Sequence, residues 1–382
     1  MGISDNMVSG TASESKKKVA IVGGGGWGTA LSILLGGEVL QGRKHLDVHL
    51  WVMEEELAEK IKQDRINVQY LPNAKIPATV QVSSSLKEIV SNAELIVTAI
   101  PSQYLRSVAA EMAPYMSSKT PICNVAKGIE IGTFRRMSEV LREETNVSKK
   151  RLAVLSGPSH AEEVSIGKAT AVVTASGSSD MANYVQGIFS TQTFRVYTSR
   201  DVRGVEYGGS LKNIIAIGAG ICDGLQQMQS EGKKTAIGDN AKATLLTRGV
   251  EEMARLGIFL GSKKTTFYGL SGWGDLLVTS YSKFGRNRLV GECLASGMTL
   301  DEIKSEKLHG MVPEGVETAK AVYNLSKTIN VEMPITEQIY LILYEGKDIE
   351  TAIYDLMTRS LKPEHGYYIK GIPKRLKLAL RK

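Results

Sequence analysis

The sequence predicts two domains, an open parallel α/β sheet followed by an all-helical half. Three observations carry this expectation. The 382 residues exceed what a single hydrophobic core usually holds. Up to about residue 204, short β-branched-rich apolar runs alternate with helical patterns, the order of a doubly wound sheet. From Val205 onward strand-type runs nearly vanish, and small and apolar residues recur at helical spacing. The expected organisation is a disordered polar leader over 1–15, an α/β domain over 16–204, a helical domain over 205–362 and a basic tail over 363–382.

The α/β half begins with Val19–Val22, a compact apolar run expected as a buried parallel strand. Four glycines follow, Gly23–Gly26, and then "TALSILLGGEVL", which has Ala30, Ile33 and Leu34 at helical spacing. A flexible linker would not be flanked by a buried strand and an apolar helix. Gly23, Gly25 and Gly28 fall at G-x-G-x-x-G spacing, which serves a tight turn, backbone approach to a pyrophosphate and close helix–strand packing. The helix N-terminus then offers free N–H groups to the phosphates. This is the pattern of a Rossmann-type dinucleotide-binding unit. The next strand, within "HLDVHLWVM" (45–53), alternates and ends at Glu54. A carboxylate there would bond a ribose 2′-hydroxyl and disfavour a 2′-phosphate. Glu55 and Glu56 compete for that role, and all three also suit a helix start. NAD is expected over NADP on this acidic cluster, with NADP left open.

Further strands are expected within 93–101, 120–130 and 151–164, and at Ala169–Ala175 and 193–199. The loops "PSQY" (101–104), Lys127-Gly128 and "SGPSH" lie at carboxyl ends of strands, where open sheets bind ligands. Helices are expected across 205–225, 240–261, "LDEIKSEKL", "PEGVETAKAVYNLSKTIN", "PITEQIYLILY" and "DIETAIYDLMTRS".

Composition narrows the function classes. With 42% hydrophobic and 23% charged residues the chain is of ordinary globular type. No apolar run approaches the roughly 18–20 residues of a membrane span, and Met1–Ser15 lacks a signal peptide's apolar segment. Cys123, Cys222 and Cys293 lie far apart and fit neither a disulfide framework nor a metal site, so a reducing, cytoplasmic setting is expected. The net charge of +7 is spread along the chain, and its basic runs are too short for a nucleic-acid partner.

The stretches "IVGGGGWGTALS", "AKGIE", "SGPSHAEEV", "GVEYGGSLKNIIAIGAGICDGL", "GLSGWGDLLVTSYSKFGRNRLVG" and "PITEQIYLILYEGK" together resemble the NAD(P)-dependent glycerol-3-phosphate dehydrogenases, in particular their bacterial-type branch. The resemblance runs from about Lys17 to about Arg359. It implies reversible hydride transfer between NAD(H) and glycerol 3-phosphate or dihydroxyacetone phosphate, in a homodimer joined through the helical domain. Lys212 would be the proton donor and acceptor. Its apolar helical setting, against the bland reading of a lysine snorkelling to solvent, fits a lowered pKa. Lys127 would be a second active-site lysine near substrate and cofactor, and Asp275 would orient Lys212. Thr279 lies one helical turn after Asp275, on the same face. Asn213 and Asn287 would contact substrate, and Arg286 would hold its phosphate while also touching cofactor. The implied cofactor contacts are Gly23, Gly25, Gly26, Trp27, Gly28, Glu54, Tyr104, Lys127, Ala161, Arg286 and Glu314. Bland readings stand beside several of these: Asp275 as a helix cap, Lys127 as a solvated loop lysine, Glu314 as an exposed loop carboxylate, Tyr104 as loop packing.

The chain departs from the resemblance in three places. Residues 226–237 look like an insertion, either a flap over the substrate mouth or surface decoration. His160 stands where the family commonly has phenylalanine. The end beyond residue 362 does not align. Two other functions stay in view: a hydroxy-acid dehydrogenase with His160 as acid–base group, and a nucleotide sensor without catalysis.

Overall fold

Val19, Ala20, Ile21 and Val22 are fully buried because their strand lies inside an eight-stranded sheet covered on both faces. The computed structural model describes residues 16–37, 46–232, 235, 237–308 and 313–364. The leader over 1–15 and nearly all of the basic tail lie outside those residues.

The chain runs β1 (Lys17–Val22), α1 (Gly26–Gly36), β2 (Leu46–Trp51), α2 (Glu55–Asp64), a small antiparallel pair β3 (Ile66–Asn67) and β4 (Leu71–Lys75), β5 (Gln81–Ser83) and α3 (Leu86–Val90). It continues as β6 (Leu95–Thr98), α4 (Leu105–Met112), β7 (Ile122–Asn124), α5 (Met137–Thr145), β8 (Leu152–Ser156), α6 (Ala161–Val164), β9 (Thr170–Ser176), α7 (Ser179–Phe189) and β10 (Phe194–Ser199). The sheet order is β10-β9-β8-β7-β6-β1-β2-β5. Strand order reverses between β1 and β6, which places a crevice at their carboxyl ends, just above the glycine turn.

The sequence suggested a wholly parallel sheet, and the structure departs from that. β9 runs antiparallel to β8, pairing Ala153 with Ser176, and β10 then runs parallel to β9. The physical reason is the connection. α6 spans four residues, too short to lie across the sheet and return the chain to the starting end of β8. β2 also loses its expected alternation at its end, where Leu50 and Trp51 are both buried. The "PSQY" segment is a short 3₁₀ turn, Ser102–Tyr104, rather than an irregular loop.

The glycine turn is tight below and open above. Gly23 has φ +125°, and a Cβ there would sit 2.6 Å from Ala99 O. A Cβ on Gly28 would sit 1.9 Å from Gly23 O, so α1 packs on its own turn at backbone contact. A Cβ on Gly25 would meet nothing within 4 Å.

The second half is helical: α8 (Val202–Ser230), α9 (Asp239–Phe259), α10 (Lys264–Phe267), a π turn (Leu270–Gly274), α11 (Asp275–Tyr281), α12 (Arg286–Ala295), α13 (Leu300–Glu302), α14 (Glu314–Ile329), α15 (Pro334–Glu345) and α16 (Ile349–Met357). "LDEIKSEKL" forms only the short α13 and a following π turn, Ile303–Lys307. α8 begins at Val202, so the division expected at 204/205 falls in its first turn. Asp201 starts it, accepting from Gly204 N at 3.0 Å while its other oxygen takes Thr266 Oγ1 and Lys263 N. The helix is buried nearly throughout from Gly204 to Leu225. Gly220 and Gly291 let it meet α12 backbone to backbone, since Cβ atoms there would lie 1.9 Å from Arg288 O and 2.0 Å from Ile217 O. Gln226–Ser230, the first part of the expected insertion, extends α8, and Ile237 is buried in the helical core.

Gly28→Ala is expected to destabilise the chain by about 3 kcal/mol, as overpacking against backbone does, whereas Gly25→Ala should stay within about 0.5 kcal/mol. Urea unfolding midpoints of the two variants test this contrast. Equal loss would mean that the turn is not open above Gly25.

Candidate active site

Asp275 opens α11 at 1% exposure, a burial that a carboxylate tolerates only when paired. It is shared. Its Oδ2 accepts from Lys127 Nζ at 2.6 Å and its Oδ1 from Lys212 Nζ at 3.0 Å. The cap position of α11 is Gly274, and the Asp275 carboxylate is turned to the two lysines, so the cap reading falls. Lys127 comes from the loop after β7 and also donates to Gly157 O at 3.1 Å, in the loop after β8. Lys212 comes from the buried middle of α8 and also donates to Thr279 Oγ1, one turn beyond Asp275. The snorkelling reading of Lys212 falls with its 5% exposure.

Burial pushes the Lys212 ammonium down to about 8. The Asp275 carboxylate opposes that shift, while the positive charges of Lys127 and Arg286 add to it. Burial pushes the Asp275 carboxyl up, but the two ammoniums outweigh it and hold the group below its ordinary value. The site therefore pairs a stable anion with a lysine that can exchange a proton near neutral pH.

Beside this cluster, Asn213 and Asn287 are buried and joined to each other, Asn287 Nδ2 donating to Asn213 Oδ1 at 3.0 Å. Asn287 Oδ1 accepts from Gly315 N at 2.9 Å, which ties α12 to the start of α14. Glu314, the first residue of α14, is not an exposed loop carboxylate. It accepts from Ser102 N at 3.2 Å and Ser102 Oγ at 2.6 Å, crossing from the helical half to the turn after β6. Burial raises its pKa against the pull of these bonds and of Arg286. Arg286 stands exposed at the start of α12, close enough for its charge to act on both Lys212 and Glu314.

The nucleotide end is a separate group. Gly23, Gly25, Gly26 and Gly28 line the turn, whose Gly24 carbonyl is held by the buried Asn67 at 2.7 Å. Trp27 and Ala161 each pack against the small cluster of Ala30, Leu71 and Ala74. Glu54 precedes α2 near the Tyr70 hydroxyl, whose pKa is raised by burial first and by Glu54 second. Tyr104 is 60% exposed, so it is not packed into its loop. The open space over Gly25, the backbone groups at the α1 N-terminus and the Glu54 carboxylate beyond β2 fit a dinucleotide.

His160 precedes α6 with its Nε2 3.5 Å from Val278 O and its ring 6.1 Å from that of Phe284. Burial and then the Lys212 charge lower its pKa to about 4. Ser102, Gly157 and Asn67 are the residues that the sequence reading passed over. Ser102 lies within "PSQY" and Gly157 within "SGPSH", at carboxyl ends of strands, whereas nothing local marks Asn67.

The fold and site define a dinucleotide-linked oxidoreductase. Residues 18–182 and 201–354 match the family models described as the N-terminus and the C-terminus of NAD-dependent glycerol-3-phosphate dehydrogenase. A glycerol-3-phosphate dehydrogenase acting with NAD(P)+ from Chlorobium limicola is 48% identical over 347 residues, 91% of this chain and 99% of that protein. One from Bacillus pumilus is 43% identical over 90% of this chain and 94% of its own length. The crystal structure of glycerol-3-phosphate dehydrogenase from Coxiella burnetii superposes with a TM-score of 0.81 at 36% identity, covering 90% of this chain and 99% of that one. A ketopantoate reductase from Ralstonia eutropha, at 16% identity and a TM-score of 0.54, shares the fold alone. The chain belongs to the NAD-dependent glycerol-3-phosphate dehydrogenase family.

Two outcomes follow from the charges. Asp275→Asn leaves the buried Lys212 ammonium and the half-buried Lys127 ammonium without a counter-charge and should cost about 3–5 kcal/mol, read as a lowered unfolding midpoint. His160, lowered from 6.5 to about 4, should titrate near that value in NMR spectra. Its stabilising contribution is then present above pH 6.5 and lost as pH falls through about 4. A ring titrating at its ordinary value would contradict the burial.

Proposed function

We propose that the chain interconverts dihydroxyacetone phosphate and glycerol 3-phosphate with NAD(H), and that Lys212 moves the proton. The observation that carries this reading is Asp275 shared by Lys127 and Lys212 at the carboxyl ends of β7 and β8. The nicotinamide, when bound, supplies the hydride that reduces the C2 carbonyl carbon. Lys212, near pH 8 in its proton exchange, donates Nζ–H to the C2 oxygen as charge develops there, and in the reverse direction accepts the hydroxyl proton. Lys127 places a second positive charge beside that oxygen, which stabilises the developing alkoxide in a buried, low-dielectric site. Asp275 keeps both ammoniums aimed and becomes neither acid nor base.

Arg286, an exposed guanidinium at the site's edge, suits the substrate phosphate, with Asn287, Asn213 and Thr279 orienting the rest. Gly23, Gly25, Gly26, Trp27, Gly28, Tyr104, Ala161 and Glu314 are assigned to the dinucleotide. Glu54 favours NAD, since a 2′-phosphate would meet its charge. His160 lacks a carboxylate partner among the described residues and its ring is neutral across the working range, which disfavours the hydroxy-acid reading. A homodimer working in the cytoplasm, with the chain divided between β10 and α8, completes the proposal. No helix among the described residues is long and apolar enough to cross a membrane.

The test follows NADH absorbance with dihydroxyacetone phosphate, and with unphosphorylated dihydroxyacetone as control. Turnover of the phosphorylated ketone alone is the expected result, and NADH binding without turnover would instead favour a sensor. Lys212→Ala should lower kcat about 10³-fold with NADH affinity retained. Arg286→Leu should raise KM for the phosphorylated ketone about 10–100-fold, the loss of charge-assisted hydrogen bonds. The reduction should slow as pH rises past about 8, because Lys212 then lacks the proton it must give.

A further inference from the structure

Lys127 must be held within 2.6 Å of Asp275, yet the segment around it has no helix and only one bridge, Ile129 with Arg136. Gln103, in the turn after β6, supplies what secondary structure does not. Its Nε2 donates to Ile129 O at 2.9 Å and its Oε1 accepts from Ile131 N at 3.0 Å, so one carboxamide acts as a neighbouring strand would. The same Nε2 lies 3.2 Å from Ser102 Oγ, the hydroxyl that donates to Glu314. Between these contacts sits Gly128, where a Cβ would fall 2.3 Å from Ser102 Oγ and 3.0 Å from Glu314 Oε2. The loop that carries Lys127 is thus pressed against the Ser102–Glu314 contact and fastened there by Gln103.

We propose that Gln103 is a positioning residue for the reaction: its carboxamide fixes the Lys127–Gly128 segment on the Ser102–Glu314 contact, and so sets Lys127 where Asp275 can serve both lysines. The inference rests on the reaction assigned above. A carboxamide carries an N–H donor and a carbonyl acceptor side by side without charge, which matches Ile129 O and Ile131 N together, and asparagine is one methylene shorter. Lys212 faces Asp275 and Thr279 from α11, Lys127 from the loop after β7, Arg286 from α12 and His160 from the loop after β8. Moving Lys127 away removes a positive neighbour and leaves Asp275 to Lys212 alone. Both changes hold the Lys212 proton more tightly, so the alkaline limb of the reduction moves to higher pH.

Gln103→Met keeps the side-chain length and removes both hydrogen bonds. With turnover normalised to NADH-binding sites, kcat/KM for dihydroxyacetone phosphate should fall about ten-fold or more while NADH affinity stays within about two-fold. The alkaline limb should shift upward in the same variant. A retained kcat/KM with only a lower Tm, or NADH affinity falling in step with turnover, overturns the inference. Should Gln103→Met fail to fold, Gln103→Glu is read by the same criteria, since it keeps the acceptor for Ile131 N and loses the donor to Ile129 O. A wild type inactive on dihydroxyacetone phosphate overturns the reaction and the inference with it. An active wild type matched by the variant overturns the inference alone.

Discussion

One buried carboxylate sets the terms for the rest of the structure. Asp275 binds an ammonium from each half of the chain, and a carboxylate so deeply placed is stable only while it stays paired. That requirement fixes the seat of α11 against α8, and of both against the loop after β7. It also fixes the chemistry. Burial lowers the Lys212 pKa, and the Asp275 carboxylate raises it. The balance of the two, with Lys127 and Arg286 nearby, leaves it able to exchange a proton near pH 8.

The packing around the cluster is correspondingly close. α8 carries Lys212 and Asn213 through the centre of the helical half, and glycines at its contact with α12 bring the two backbones together. α12 can then present Arg286 outward and Asn287 inward from adjacent positions. The Asn213–Asn287–Gly315 chain carries that arrangement to α14, where Glu314 reaches back to Ser102. The same side chains that would meet ligand also hold the two halves in register. The glycine turn works by a similar economy, closed beneath by backbone contact and open above.

Much of this was legible in the sequence because it is local. The apolar run before Gly23 marks a buried strand, the spacing of Gly23, Gly25 and Gly28 marks a turn tight beneath and open above, and Lys212 within "GGSLKNIIAIGAG" marks a desolvated lysine. The resemblance added the partners Lys127, Asp275, Arg286 and Glu314. The direction of β9 was not legible, since a seven-residue apolar strand reads the same either way and only its pairing with β8 tells them apart. Asn67 gave no signal, because a polar residue near a short hairpin reads as surface until its amide is seen under Gly24.

The sequence by itself determined most of the element types, the two-part organisation and the tight glycine turn, because hydrophobic period, glycine spacing and motif are properties of neighbouring residues. Only the tertiary structure decided that Asp275 is divided between two lysines, that Glu314 is buried against Ser102, and that Gln103 clamps the loop of Lys127. Each of these joins positions distant in the chain. Their energy comes from mutual desolvation and hydrogen bonding, which exist only once the folded backbone has brought the groups together.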